Sequence, residues 1–262
     1  MIGSVFVPLV VAGIIFYSVI VEPQWIQLSR YDIAIPNLPK SFEGFSILHL
    51  SDFHGRVGAF SYLQRNKISA DVIVITGDLF SWITLPRKRM AWALDTLQAP
   101  NGVFYVSGNH DYHHGKLNIE PWDVDGRLLD NRAISVNRAG DAIWFAGIPD
   151  LVKGKPSLAS VANQIPDGAI AILLSHRPDA VLLPQSSRFN LILSGHTHGG
   201  QVTFGGRWAP VRHTRVGRKY VAGKWMGPGN TILVTSRGLG ESELPIRFGS
   251  RPEVVQIFLY RA

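Results

Sequence analysis

The chain has 262 residues, 46% of them hydrophobic and 17% charged, which suits one large domain or two small ones and excludes a disordered polymer. It contains no cysteine, so a disulfide framework, a thiolate metal site and a cysteine nucleophile are all excluded. A formal net charge of +7 favours anionic partners: phosphorylated substrates, acidic lipid headgroups or nucleic acid.

The first element is an apolar run from Ile2 to Val21 with no charged side chain. As a helix it would span about 30 Å, the thickness of a bilayer's hydrocarbon core. Gly3, Ser4, Pro8 and Gly13 are tolerated in such helices. A cleaved signal would need a basic start and a small-residue cleavage site. Here only Met1 precedes the run, and Val21-Glu22-Pro23-Gln24-Trp25 closes it. A buried core helix is seldom this long without a charge. Residues 2–21 are therefore expected to be a single-pass membrane anchor, with Trp25 at the lipid–water boundary. Arg30 and Lys40 lie on its C-terminal side, and the positive-inside tendency then tilts towards a cytoplasmic catalytic domain.

Residues 22–44 are expected to form a linker and first-strand region, with Pro36-Asn37-Leu38-Pro39 as the linker proper. Beyond it, one globular domain over 45–262 alternates strand-like and helix-like segments. Strands are predicted at 45–51, 71–76, 103–107, 142–147, 169–175, 189–194, 231–236 and 253–260, and helices at 61–70 and 87–98. The early part reads as βαβ units and the end as more purely β, which gives a layered α/β fold with a mixed sheet.

The residues directly after each apolar strand carry the chemistry. FSILHL runs into Ser51-Asp52-Phe53-His54-Gly55, DVIVIT into Gly77-Asp78, and VFYVS into Gly108-Asn109-His110-Asp111. AIAILL leads to Ser175-His176, and NLILS to Gly195-His196-Thr197-His198-Gly199-Gly200. Ligands of α/β sheets bind at the carboxyl ends of strands. Taken singly, each motif has a plainer explanation: a turn for Gly-Asp, a helix cap for Gly-Asn-His, a satisfied core residue for His176. Five strand ends in succession, all bearing oxygen or imidazole donors, fit those explanations poorly.

In order and type this set resembles the calcineurin-like metallophosphoesterases. The resemblance runs from about Phe45 to the C-terminus. It is strongest to a membrane-associated bacterial branch, in which Gly-His-Thr-His continues as Gly199-Gly200-Gln201 does and which also shares Leu244-Pro245-Ile246-Arg247-Phe248 and Pro252-Glu253-Val254. The resemblance implies a four-layer α-β-β-α sandwich of two mixed sheets. It places Asp52, His54 and His198 on one metal and Asn109, His176 and His196 on a second, with Asp78 bridging. His110 would assist the leaving group and Asp111 would orient His110. Imidazoles suit zinc, iron or manganese, and the oxygen donors keep manganese competitive. Many members carry an acid a few residues after Gly-Asp, where this chain has Phe80-Ser81, so local substrate contacts differ.

The implied activity is hydrolysis of a phosphodiester or pyrophosphate at the membrane, on a small phosphorylated molecule or a lipid. Some members of the branch act on UDP-2,3-diacylglucosamine. A broad phosphodiesterase and a non-enzymatic tethered binding protein are the alternatives. No nucleic-acid-binding motif is present, which sets that partner aside. Between Arg207 and Lys224, six cations stand without an acid. Of these Arg212, Arg215, Arg218 and Lys219 are candidates for substrate binding, and a solvated basic loop is the plainer reading. Trp82, Trp92, Trp122, Trp208 and Trp225 could line an acyl-chain groove or simply fill the core. His113 and His114 are expected to be exposed, and His49 buried.

Overall fold

The computed structural model describes residues 2–81, 87–119, 127–204, 208–210, 214–216 and 220–262, with side chains from residue 7 onward except that of Arg87. It opens with helix α1 (Ile2–Phe16), which runs on as a π-helical turn over Tyr17–Val21 and a 3-10 turn over Glu22–Gln24. Along α1 the side chains from Val7 to Phe16 are all exposed. An apolar helix that buries no face is anomalous in water and ordinary in lipid. The window Val7–Gln24 is long and apolar enough to cross a bilayer.

The strands come in chain order: β1 (Gln27–Ile35), β2 (Ser46–Leu50), β3 (Val72–Thr76), β4 (Val103–Val106), a short β5/β6 ribbon (Tyr112–His113, Lys116–Leu117), β7 (Arg132–Arg138), β8 (Asp141–Ile148), β9 (Ala171–Ser175), β10 (Leu191–Ser194), β11 (Gly223–Met226), β12 (Ile232–Thr235) and β13 (Glu253–Arg261). Helices α2 (Gly58–Arg65), α3 (Arg87–Asp95) and α4 (Leu158–Ala162) lie between them. One sheet has the order β1-β13-β2-β3-β4 and the other β11-β12-β10-β9-β8-β7. β2, β3 and β4 are parallel, as are β8, β9, β10 and β12, so the carboxyl ends of each set share one edge.

The two sheets pack face to face. Ile47, Val74, Phe104 and Ile257 of the first meet Phe145, Ile172, Leu193 and Val234 of the second in one buried cluster. Each such side chain taken from water contributes about 1.5–3 kcal/mol. The far face of the first sheet is covered by α2 and α3 through Leu63, Met90 and Leu94. That of the second is covered by α4 and short helical turns through Leu158, Val161 and Val181. The four-layer expectation therefore holds, although the fourth layer is thin.

β1 falls in the expected first-strand region, while the short β5/β6 ribbon, β7 and β11 were not predicted. β1 and β7 alternate polar with apolar residues because each is a sheet edge: Arg30 and Asp32 face solvent while Ile33 and Ile35 are buried. β11, at the other edge of the second sheet, is short and only partly buried. The stretch expected to be a linker is not slack chain. β1 pairs with β13 along its whole length, and Leu38 and Phe42 are in the core. The last turns of the apolar segment are also built into the body. The Arg247 backbone N–H donates to the Ser18 carbonyl at 2.9 Å. The buried Glu22 carboxylate accepts from the backbone N–H groups of Gly249 at 3.0 Å and Ser250 at 2.6 Å.

Candidate active site

Each strand end turns sharply, and the turn aims its side chain. Asp52, His54, Asp78, His196 and His198 all adopt positive φ, between 45° and 69°. A non-glycine residue there costs about 1–3 kcal/mol, so five at one sheet edge mark a place where function outweighs local comfort. Gly77, with φ +89°, has the Gly108 backbone nitrogen where a Cβ would lie, 2.6 Å away. Only glycine lets the β3 and β4 turns approach so closely.

The turns bring the predicted donors together. His54 Nε2 stands 3.1 Å from His198 Nε2 and 3.5 Å from Asp78 Oδ2, and His198 Nε2 is 3.5 Å from Asp52 Oδ1. On the other side of Asp78, His176 Nε2 is 3.3 Å from Asp78 Oδ2, 3.1 Å from Asn109 Oδ1 and 3.2 Å from His196 Nδ1. Asp78 thus lies between two groups, one of Asp52, His54 and His198 and one of Asn109, His176 and His196. Apart from Asn109, which is half-buried, all of these side chains are buried. His110 is half-buried. Its backbone N–H donates to Asp78 Oδ1 at 2.8 Å, and its ring meets that of His54 edge-on at 4.7 Å.

Backbone carbonyls set two of the imidazole tautomers. His176 Nδ1 lies 2.7 Å from the Thr76 carbonyl and His198 Nδ1 lies 3.0 Å from the Gly240 carbonyl. A carbonyl only accepts, so each Nδ1 carries hydrogen, and in the neutral ring each Nε2 presents its lone pair to the other donors. This is how metal-ligating histidines are oriented.

Burial raises Asp52 to about 6 and, with the negative Asp78 beside it, raises Asp111 to about 7. Burial lowers His54 to about 3 and, with His54 and Arg247 nearby, holds His198 well below its ordinary value. Asp78 and His176 move together. Burial pushes each towards neutrality, but their mutual attraction prevails, holding Asp78 well below the usual carboxylate range and lifting His176 to about 10. His54 and His198, both held neutral, bring their Nε2 atoms to 3.1 Å of each other and to 3.5 Å of the Asp78 and Asp52 carboxylates, a crowding of lone pairs that a proton or a cation must bridge. The donor set fits divalent metals.

Asp111 is held by backbone groups. Its oxygens accept the backbone N–H groups of Asp78 at 2.9 Å, Leu79 at 2.9 Å and Gly108 at 2.8 Å. The carboxylate clips the β3 and β4 turns together, and with them the turn that carries His110. Of the basic stretch only part is described. Arg212, Arg218 and Lys219 lie outside the described residues, while Arg215 is exposed and its backbone N–H bonds Asp179 at 2.7 Å. Neither Arg215 nor Lys224 lines the cleft over the site. Of the tryptophans, Trp82 and Trp122 lie outside the described residues. Trp92 on α3 is exposed, Trp208 packs beside Phe204, and Trp225 on β11 donates from Nε1 to the Ala222 carbonyl at 2.8 Å. His49 is buried and bonded to Thr76 Oγ1 at 2.8 Å, and His113 and His114 are exposed, as expected.

The cleft has a volume of about 210 Å³ and is lined by Asp78, Asn109, His110, Arg177, His196 and His198, with Ser242 and Glu243 at its side. Arg177 was missed by the sequence reading. Its Nε donates to the fully buried Asp150 at 2.6 Å, while its other nitrogens lie 2.7 Å from His196 Nε2 and 3.2 Å from Asn109 Oδ1. A guanidinium fixed this way beside the donors is suited to a phosphoryl oxygen. The available signal was its place next to His176, together with Asp150 just beyond β8, another strand end.

The profile of the family described as "Calcineurin-like phosphoesterase" matches residues 45–200. Among curated proteins, the chain is 31% identical over 257 residues to "Uncharacterized metallophosphoesterase YkuE" of Bacillus subtilis, which covers 91% of this chain and 87% of that protein. It is 36% identical over 189 residues to "Uncharacterized metallophosphoesterase Cj0846" of Campylobacter jejuni, covering 67% of this chain and 49% of that one. A "Transmembrane protein with metallophosphoesterase domain" of Danio rerio is 28% identical over 278 residues, covering 97% of this chain and 62% of its own length. The chain thus spans most of the first relative, about half of the second and under two thirds of the third.

Proposed function

This chain belongs to the calcineurin-like phosphoesterases and is a metal-dependent hydrolase of phosphoric esters, and from that premise we propose a membrane-anchored enzyme that uses two divalent cations to cleave a phosphodiester or pyrophosphate. The observation that supports it most is Asp78, a buried carboxylate within 3.5 Å of His54 on one side and 3.3 Å of His176 on the other. In this reading Asp52, His54 and His198 hold one cation, Asn109, His176 and His196 the other, and Asp78 both. Manganese, zinc or iron would suit the set. Bound there, the cations would acidify a water and offset charge on the phosphoryl oxygens.

The chain's own groups supply the rest. His110 reaches into the cleft on a backbone tied to Asp78, where it can give a proton to the leaving oxygen. Asp111 keeps the turn that carries His110 fixed to the turn that carries Asp78. Arg177 orients the phosphoryl group at the mouth. Helix α1 holds the protein at the membrane, and the substrate is a phosphoester met there, with UDP-2,3-diacylglucosamine as one specific candidate. A cytoplasmic catalytic domain remains the reading of the flanking charges.

The test is hydrolysis by purified full-length protein of phosphomonoesters, soluble diesters and nucleoside-diphosphate lipids, with manganese, zinc or magnesium and after chelation. Metal-restored cleavage of diesters or pyrophosphates is expected. Activity on monoesters alone would sink the substrate class, and activity unmoved by chelation would sink the metal reading.

A further inference from the structure

The end of the apolar helix and the back of the site share hydrogen-bonding partners. Arg247 is fully buried, and besides its backbone bond to Ser18 its guanidinium donates to the carbonyls of Ser250 at 2.8 Å and Gly240. Gly240 also receives His198 Nδ1, and Ser250 Oγ donates to the His198 carbonyl at 2.8 Å. Glu22, two residues before the chain leaves its last helical turn, holds the backbone of Ser250. The segment that leaves the bilayer is therefore two hydrogen-bond steps from a residue that lines the cleft. The topology agrees. β1 begins beside the start of β13, and β13 runs antiparallel to β2, so the helix enters at the edge where β2, β3 and β4 end.

Around that entry the surface is apolar where a water-facing loop would be polar. Phe204 is 54% exposed, Trp208 45% and Leu244 63%. They are not scattered. The ring of Phe204 packs against Trp208 at 5.6 Å and Phe248 at 6.2 Å, and Phe248 meets Tyr17 of the helix edge-on at 6.2 Å. Leu244 comes directly after Glu243, which lines the cleft, and its carbonyl accepts from Gln201 Nε2 at 2.8 Å. Just beyond the helix, Trp25 lies under the guanidinium of Arg251, three residues after Phe248, at 4.1 Å, an aromatic ring and a cation suited to headgroup depth.

We propose that this collar of Phe204, Trp208, Leu244 and Phe248 around the emerging helix is a membrane-seating surface that sets the mouth of the active site at the level of the lipid headgroups. The occupant is the bilayer, because the collar is continuous with the one helix of the described residues that is apolar enough to span it. The inference rests on the reading of α1 as a membrane anchor. It deepens that reading: the anchor does not hold the catalytic body on a loose tether at arbitrary height, but fixes the cleft at the surface from which a lipid-borne phosphoester is drawn.

The chain's lack of cysteine makes the test direct. Leu244→Cys, Phe204→Cys and, as a control, Asn137→Cys on the exposed β7–β8 hairpin at the opposite edge are labelled with an environment-sensitive fluorophore. Each full-length protein is reconstituted in phosphatidylcholine–phosphatidylglycerol vesicles containing lipids with a nitroxide near the headgroup. Labels at 244 and 204 should shift to the blue and lose most of their emission to the nitroxide, while the label at 137 keeps its emission. Labels at 244 and 204 that stay as open to aqueous iodide as that at 137 would overturn the proposal. So would labels shielded from both iodide and nitroxide, since protein would then cover the collar. Turnover of bis(p-nitrophenyl) phosphate with manganese is measured on every preparation. Failure of the parent protein to co-float with the vesicles would strike the reading of α1 as an anchor, whereas labels left open in protein that does co-float overturn the seating surface alone.

Discussion

The two halves of the site are built from similar donors but set in different surroundings. Asp52, His54 and His198 are closed in behind the 238–250 loop, with His198 braced by Gly240 and Ser250 and, through them, by Arg247 and Glu22. In the second group Asn109 and His196 line the cleft, as His198 does from the first, with Asn109 half-buried, Arg177 between Asn109 and His196, and His176 fully buried behind them. The first group is fastened to the scaffold and to the apolar N-terminal segment; the second carries Arg177 at its open side. Under the proposed function, the contrast separates what braces the donors from what meets substrate, with Asp78 common to both groups.

The largest effect is expected where the halves meet. Asp78→Asn removes the carboxylate charge that both share, and turnover should fall by several orders of magnitude with lowered metal content. Metal analysis paired with rate measurement checks this, and full activity with undiminished metal would dissolve the comparison. His110→Ala acts on the cleft side only. Metal content should stay, while substrates with poor leaving groups slow by roughly 10²–10⁴-fold and p-nitrophenolate esters much less. Equal losses across a leaving-group series would remove the proton-donor role. Arg177→Gln belongs to the same side. Loss of a charge-assisted pair, at about 1.5–3 kcal/mol, should cost about 10–150-fold in kcat/KM, carried mainly by KM, with metal content unchanged. A loss confined to metal content would move Arg177 to the scaffold side.

The sequence showed the donors because each stands directly after an apolar strand, and strand ends meet at one edge whatever the loop lengths. It did not show what braces them. Glu22 bonds Ser250, and Arg177 bonds Asp150, through contacts fixed only when loops from distant parts of the chain cross. The same holds for Asp111, whose partners are backbone groups that no side-chain pattern announces. β7 was hidden by its edge position, where alternation with Ser135 and Asn137 lowers the apolar signal. Judged by sequence alone, the anchor ends at Val21 and the first donor stands at Asp52, so the two look independent. The bonds of Ser18 and Glu22 show that they are not.

A pair of truncations sharpens the contrast at its smallest scale. Removing residues 1–16 deletes α1 but keeps Tyr17 to Glu22, and the protein should leave the membrane with its soluble diesterase rate intact. Removing residues 1–24 also deletes the Glu22 carboxylate, leaving two backbone donors unmatched at about 1–3 kcal/mol each. Thermal stability and diesterase rate should then both fall, the rate by several-fold. Equal behaviour of the two truncations would detach the inner half from the membrane segment.

The central claim is that two cations, held on either side of Asp78, work as one hydrolytic centre. Its most direct test is titration of metal-stripped full-length protein with manganese, tracking bound metal and bis(p-nitrophenyl) phosphate turnover together. Turnover should remain low through the first equivalent and saturate at the second. Saturation at one equivalent, or turnover independent of added metal, would contradict it.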